Sequence, residues 1–276
     1  MVADVGIVAQ RDNERARAIA EELVRTVAAF GADAVVDDAT GNAVDAPAVP
    51  VSAMGDCAFV VSIGGDGTFL FVARETGGVP LIGINLGEVG FLNAVSPAAA
   101  VDAVEGLLEE HQETSTIEGR SVPRLQASGE GWTLEPALNE IVVHGPRRGP
   151  AGGVEVDVAI DGVSYARSWA DGTLVSTPTG STAYNLSEGG PLVHPTVDAL
   201  VVTQMCAAES MPPLVVGADS EVTLTLSGRG PTWAISDGRT RQELEPPETV
   251  TVTVADDPIT LAGPEVHFFD ALEKLE

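Results

Sequence analysis

Three polar clusters in this chain combine residue types and spacings suited to phosphate and ribose chemistry. The first is Ile63-Gly64-Gly65-Asp66-Gly67-Thr68. It follows an apolar run, residues 58–63, that reads as a buried parallel strand, and it precedes residues 68–74, which read as a helix start. A strand, a glycine turn and a helix N-terminus make an anion site, because glycines let the backbone approach a phosphate and the first helical N–H groups point at it. Asp66 is the odd part. Its carboxylate would repel phosphate oxygens, so it suits holding a metal-bound group or accepting a proton. An ordinary Asp-Gly connection would carry the same residues.

The second cluster is Leu138-Asn139-Glu140, placed before an apolar strand. A carboxylate accepts hydrogen bonds from both hydroxyls of a cis-diol, and a neighbouring amide can donate and accept, so the pair suits a ribose. The third is the run at residues 171–191, dense in hydroxyls, small residues and glycines around Asp171, Thr182, Ala183, Tyr184, Asn185, Leu186 and Ser187. Small residues admit a ligand closely, and the Tyr184 ring offers a stacking surface. A Ser/Thr-rich loop is the plain alternative.

Other chemistries are excluded. Leu70 stands where a dinucleotide fingerprint needs its third glycine. Lys274 is the only lysine, so neither a P-loop nor a protein-kinase lysine exists, and phosphate binding must rest on backbone N–H groups, a divalent cation and arginines. His111, His144, His194 and His267 lack metal-ligand spacing, read as structural or exposed, and leave no metal ligand set to name. No Gly-x-Ser-x-Gly elbow is present.

These clusters sit in a chain of 276 residues, 44% hydrophobic, long enough for two domains. Its net charge of -27, spread along the sequence, argues against nucleic acid or an anionic membrane as partner. A uniformly acidic, lysine-poor composition looks adapted to a salt-rich cytoplasm. Cys57 and Cys206 both lie in apolar contexts and read as buried free thiols of a reducing compartment. Neither a signal sequence nor a membrane span is visible, which points to the cytoplasm.

The elements that must position the clusters follow in order. Residues 5–9 read as a strand, and Asp12 as the cap of a helix with apolar residues Ala16, Ile19, Ala20, Leu23, Val24 and Val27, stopped at Gly31. Residues 34–36 form a second strand, residues 38–56 a loop with at most a helical turn, and residues 80–85 another strand. The segment at 85–92 is again glycine-punctuated, and Ser96-Pro97 opens a helix to about residue 110. Strands alternating with helices predict a parallel, doubly wound (Rossmann-like) α/β sheet, with ligands at the carboxyl ends of its strands. After about residue 114 the period becomes two. Residues 154–160 and 163–169 flank Asp161-Gly162, a second turn falls at Asp237-Gly238, and alternating runs lie at 222–226 and 250–254. The expected division is an α/β domain at 1–114, an antiparallel β-sandwich domain at 115–255, and a segment at 256–276, helical from 268 to 275, returning to the first domain.

With these motifs in place the chain resembles the NAD kinase family, through residues 64–68, 85–92, 138–140 and 171–191 in that order and spacing. The 171–191 run is the specific one, since Gly-Gly-Asp-Gly-Thr also occurs in diacylglycerol kinases. The resemblance implies an active site between the two domains and phosphorylation of the adenosine ribose 2′-hydroxyl of NAD, by ATP or polyphosphate with Mg²⁺ or another divalent cation, giving NADP. It implies Asp66 as proton acceptor, Gly67 as a substrate-binding position, Asn139 and Glu140 as the ribose pair, and Asp171 with residues 182–187 around the dinucleotide. It also implies a homodimer or homotetramer with β domains meeting. Arg239 departs from the glutamine of many relatives, and residues 208–213 depart from their His-Ser-Leu-Ser-type stretch. A silent NAD(H) sensor and a lipid or sphingoid kinase are the alternatives; the chain lacks a basic or amphipathic membrane-facing surface for the latter.

Overall fold

The computed structural model describes residues 4–87, 91–147, 149, 152–209, 211–228, 230–264 and 268–272. The chain forms two compact units, one of Met1–Val122 with Asp257–Glu276, the other of Pro123–Asp256.

In the first unit, β1 (Val5–Ala9), β2 (Ala34–Asp37), β3 (Ala48–Val49), β4 (Phe59–Gly64) and β5 (Leu81–Asn85) are parallel and ordered β3-β2-β1-β4-β5. The late strand Ile259–Ala262 adds parallel to β5, and β6 (Gly119–Val122) closes the sheet antiparallel to it. That pairing moves the first boundary from 114 to 122, because residues 119–122 satisfy their backbone groups in this sheet. The sheet is therefore mixed at its end and parallel elsewhere.

Both faces of the sheet are covered. α1 (Glu14–Ala29) buries Ala16, Ile19, Ala20, Leu23 and Val27, the spacing of one helical face, in the same cluster as Val104, Leu107 and Leu108. Ile7, Phe59, Val61, Ile63, Ile82 and Ile84 meet them from alternate strand positions. The cap of α1 is Asn13, whose side chain accepts from Arg15 N at 3.0 Å and Ala16 N at 3.2 Å, rather than Asp12, which turns the chain at φ 55. The stretch after β2 holds more structure than its composition shows: a helical turn, α2 (Asp38–Gly41), and the 3₁₀ segment Val51–Asp56, which buries Met54. α3 (Asp66–Thr76) starts two residues earlier than expected, with Gly65 as its cap. α4 (Ala100–Thr114) follows a 3₁₀ turn opened by Pro97.

The second unit is two six-stranded antiparallel sheets. β7 (Leu125–Gly129), β8 (Trp132–Thr133), β9 (Glu140–His144), β10 (Val154–Ile160), β11 (Val163–Ala170) and β12 (Gly172–Ser176) are followed by β13 (Ala199–Met205), β14 (Leu214–Gly217), β15 (Val222–Ser227), β16 (Thr232–Ser236), β17 (Thr240–Leu244) and β18 (Glu248–Val254). One sheet runs β11-β10-β15-β18-β7-β8, the other β14-β13-β12-β9-β16-β17. Val156, Val158, Leu224 and Val250 of the first share one core with Ile141, Val143, Val175 and Leu200 of the second, the packing of a sandwich. Both Asp-Gly hairpins form, with Asp161 and Asp237 at φ 51 and 44 and their glycines at 77 and 66.

Cys57 is buried, and burial pushes its thiol up to about 11. Cys206 is exposed, a correction to its apolar reading: it turns out of β13 at φ 49. No helix among the described residues is long and apolar enough to cross a membrane. The tail is helical over α5 (Phe268–Leu272); residues 273–275 lie outside the described ones, as do 88–90 of the glycine-punctuated segment, His267, Lys274 and residue 210 of the 208–213 departure.

Candidate active site

In the first unit, the turn at residues 64–68 leaves the carboxyl end of β4, where Gly64 pairs with Asn85 of β5. Asp66 occupies the first turn of α3, half-buried, and Gly67 beside it is exposed. A carboxylate there interacts favourably with the positive helix end. At the carboxyl end of β1 a cavity of about 350 Å³ is lined by Gln10, Arg11, Asn13, Arg17 and Thr40 among others.

In the second unit, β9 and β12 pair antiparallel with Glu140 opposite Ser176. This pairing brings together two clusters that lie thirty residues apart in sequence. Thr177 N donates to Asn139 O at 2.9 Å, and Thr177 Oγ1 donates to Leu138 O at 2.7 Å. Gly180 lies so close that a methyl group there would overlap the Asn139 carbonyl, so a side chain is forbidden at this position.

A third element fixes the pair. At the β16–β17 turn, the Asp237 carboxylate accepts from Leu138 N at 2.7 Å, Asn139 N at 2.8 Å and Glu140 N at 3.1 Å. One side chain therefore holds three consecutive amides, and with them the direction of the Asn139 and Glu140 side chains. Nothing in the sequence beyond an Asp-Gly hairpin signal marks Asp237 for this. Arg239, after the turn, is exposed.

Glu140 faces a cavity of about 370 Å³, within the range of small-ligand sites. Asp171, Tyr184, His144, Arg147 and Met205 also line it. Three of the expected residues, Glu140, Asp171 and Tyr184, thus meet around one space. Asp171 is buried, and its Oδ1 accepts from Gly149 N at 2.7 Å, which ties Gly149 to the cavity rim. Tyr184 packs beside Val142, Leu174 and Met205. His144 carries no local signal for this place in the sequence; its ring lies 5.5 Å from the Trp233 ring, tilted by 30°, and its Nδ1 meets Gly145 O at 2.6 Å.

The 171–191 run divides between lining and bracing. Ser181 Oγ donates to Pro178 O, and Thr182 Oγ1 to Thr179 O at 3.1 Å, so these hydroxyls hold the turn's own backbone. Asn185 is fully buried: its Nδ2 donates to Ser181 O and Pro191 O, and its Oδ1 accepts from Thr203 at 2.8 Å. With both ends of its amide engaged, Asn185 braces the loop. Ala183 and Leu186 are half-buried and Ser187 is exposed.

Burial, and then the charge of Asp237, push the Glu140 carboxyl from its ordinary 4.5 up to about 7, with the Tyr184 backbone N–H pulling the other way. Its Oε2 is buried without a partner. A raised carboxyl value means that the folded form holds the proton more tightly. The stability linked to this group is complete below pH about 4.5 and is lost as pH rises through about 7. Glu140→Gln mimics the protonated form. Urea melts should therefore find it equal to the parent at low pH and more stable above pH 7, by on the order of 3 kcal/mol; equal stability at pH 8 would show that the carboxylate is not penalised.

Comparison with known proteins adds two family matches, the ATP-NAD kinase N-terminal domain over residues 5–112 and the ATP-NAD kinase C-terminal domain over residues 138–262. The chain is 53% identical over 280 residues to an NAD kinase of Halobacterium salinarum, covering 99% of each protein. It is 52% identical to an NAD kinase of Haloarcula marismortui, covering 98% of this chain and 99% of that protein. Among solved structures, an NAD kinase from Archaeoglobus fulgidus in complex with ATP matches with a TM-score of 0.78 at 24% identity over 98% of each chain. A yeast NADH kinase complexed with NADH matches at 0.82 and 20% identity, covering all of this chain and 88% of that one.

Proposed function

The chain belongs to the NAD kinase family and phosphorylates NAD, and we propose that it does so at the adenosine ribose 2′-hydroxyl with Asp66 as proton acceptor. The carrying observation is the Glu140 carboxylate, its backbone held by Asp237, with a buried Oε2 that lacks a partner in a cavity shared with Asp171 and Tyr184. A buried acceptor of that kind is costly until a donor arrives, and ribose hydroxyls are donors. Asn139 and Glu140 hold the ribose, and Tyr184 and Asp171 border the dinucleotide. Gly67, Thr182, Ala183, Leu186 and Ser187 contribute backbone and small surface near the ligand. In the reaction the 2′-oxygen forms a bond to the terminal phosphorus, the bond from that phosphorus to the donor's bridging oxygen breaks, and the hydroxyl proton passes to Asp66. The rest is positioning and charge neutralisation. Neither the silent sensor nor the lipid kinase is favoured by whole-chain similarity to NAD kinases.

The donor is ATP or polyphosphate. Arg11 and Arg17 line the cavity at the end of β1 beside Asp12 and Glu14, so the cavity does not distinguish the two donors. The Mg²⁺ or other divalent cation belongs to the same proposal, carried on the donor's phosphates as part of that substrate. Two unpaired cysteines support a cytoplasmic setting. Incubating the protein with NAD, Mg²⁺ and either ATP or polyphosphate in concentrated KCl should give NADP with at least one donor; none with either would overturn the activity.

A homodimer or homotetramer belongs to the same proposal, supported by the exposed apolar side chains Val163 and Trp169 on the edge strand β11 and Val215 on the edge strand β14. Salt acts on fold and assembly together. Self-repulsion at a net charge of -27 should lower the melting midpoint as KCl falls toward 0.01 M, where the Debye length grows to roughly 30 Å. Melts and light scattering across that range would show it; a constant midpoint contradicts the salt adaptation, and a monomer at high salt contradicts the assembly.

A further inference from the structure

Asp66 has a fixed neighbour. Past β5 the chain comes back along the same strand at residues 91–95: Val95 N donates to Gly83 O at 3.1 Å, Asn85 N donates to Val95 O at 2.8 Å, and an isolated parallel bridge joins Ile84 to Val95. This return pins Asn93 against β5, where it has no exposed surface. Asn93 Nδ2 donates to Asp66 Oδ1 at 2.9 Å, while Asn93 Oδ1 is buried with no partner. The assignment of the two ends is chemical: only the NH₂ end can face an ionised carboxylate oxygen, and the carbonyl end would repel it.

Gly83 makes room for this arrangement. A methyl group there would lie 2.8 Å from Asn93 Cα and overlap its side chain. Glycine is a poor choice for a buried strand otherwise built of Leu81, Ile82, Ile84 and Asn85, since it packs nothing. Two stability costs therefore converge on one contact, a strand glycine and an orphaned amide carbonyl. An apolar side chain at position 93 would avoid the second. The contact that both serve is the one to Asp66.

We propose that Asn93 is a positioning residue for the phosphoryl transfer, holding the Asp66 carboxylate in the orientation from which it takes the hydroxyl proton. This rests on the assignment of Asp66 as proton acceptor. With Oδ1 engaged, rotation of the carboxylate is restricted, and its second oxygen keeps one direction.

Asn93→Leu is the informative variant, because it fills a similar volume while deleting both the donor and the orphaned carbonyl; Asn93→Ala is its companion. In the full-length protein at high KCl, either should lower kcat about 10- to 100-fold, the worth of a hydrogen bond to a charged group, with KM for NAD within about twofold. The melting midpoint of Asn93→Leu should not fall. In an Asp66→Asn background the same substitution should cost nothing more, since the two residues act as a unit. Native kcat in Asn93→Leu, or an undiminished loss in the Asp66→Asn background by single-turnover assay, would overturn the proposal. If Asp66→Asn alone formed NADP at the native rate, the assignment of Asp66 would fail instead; an impaired Asp66→Asn beside a normal Asn93→Leu would remove Asn93 only.

Discussion

Asp66→Asn is expected to lower kcat for NADP formation by about 10²–10⁴, the usual contribution of a positioned general base, while NAD still binds. The amide keeps the shape of the carboxylate and its place in the first turn of α3, so the glycine turn should remain folded. What it loses is the ability to take a proton as the 2′-oxygen bonds to phosphorus. Loss of kcat without loss of binding is the mark of a group needed in the transition state rather than in the bound complex. Calorimetry with NAD, paired with an NADP assay, separates the two quantities. An Asp66→Asn protein that forms NADP at the native rate would leave residues 64–68 as a phosphate turn and nothing more.

Asp237→Ala should damage both stability and substrate binding, though Asp237 does not itself line the cavity. Its carboxylate accepts from three consecutive amides, Leu138, Asn139 and Glu140, and each buried donor left alone costs about 1–3 kcal/mol. Asp237 is half-buried, so water relieves part of the loss, and a net destabilisation on the order of 3 kcal/mol is expected. Once those amides are free, the Asn139 and Glu140 side chains lose their fixed direction, and KM for NAD should rise at least tenfold. Asp237→Asn keeps one acceptor oxygen but turns a donor toward donors, and should fall between the two. Urea melts and steady-state kinetics measure both effects; native values for Asp237→Ala would mean that Thr177 and Gly180 hold the pair without it.

Much of the fold was legible because its signals are local. Alternation at residues 154–160 and 163–169 around Asp161-Gly162 describes a hairpin whatever surrounds it, and helical spacing from Ala16 to Val27 describes a buried face. Residues 119–122 were not legible: Gly-Arg-Ser-Val carries no pattern, and only its partner at residues 259–262, far along the chain, makes it a strand. Asp12 and Asn13 are both good caps by residue type, and backbone geometry chose the second. The site divides in the same way. Asp66, Glu140, Asp171 and Tyr184 announce themselves by chemistry in an unusual setting. The bracing of Asn185 was not legible, since its amide is engaged by Ser181, Pro191 and Thr203, the last of these eighteen residues away. Asn93 and Asp237 act through other residues, and nothing local distinguishes a bracing polar side chain from an idle one.

The central claim, phosphorylation at the adenosine ribose 2′-hydroxyl, is tested most directly by an NAD analogue that lacks that hydroxyl. With labelled donor, Mg²⁺ and the native protein, label should pass to NAD and appear on the 2′-oxygen by phosphorus NMR. The 2′-deoxy analogue should bind by calorimetry and accept no label. Transfer of label to the 2′-deoxy analogue would contradict the account, since the phosphate would then be going to another hydroxyl and the roles given to Asp66, Asn139 and Glu140 would have no basis.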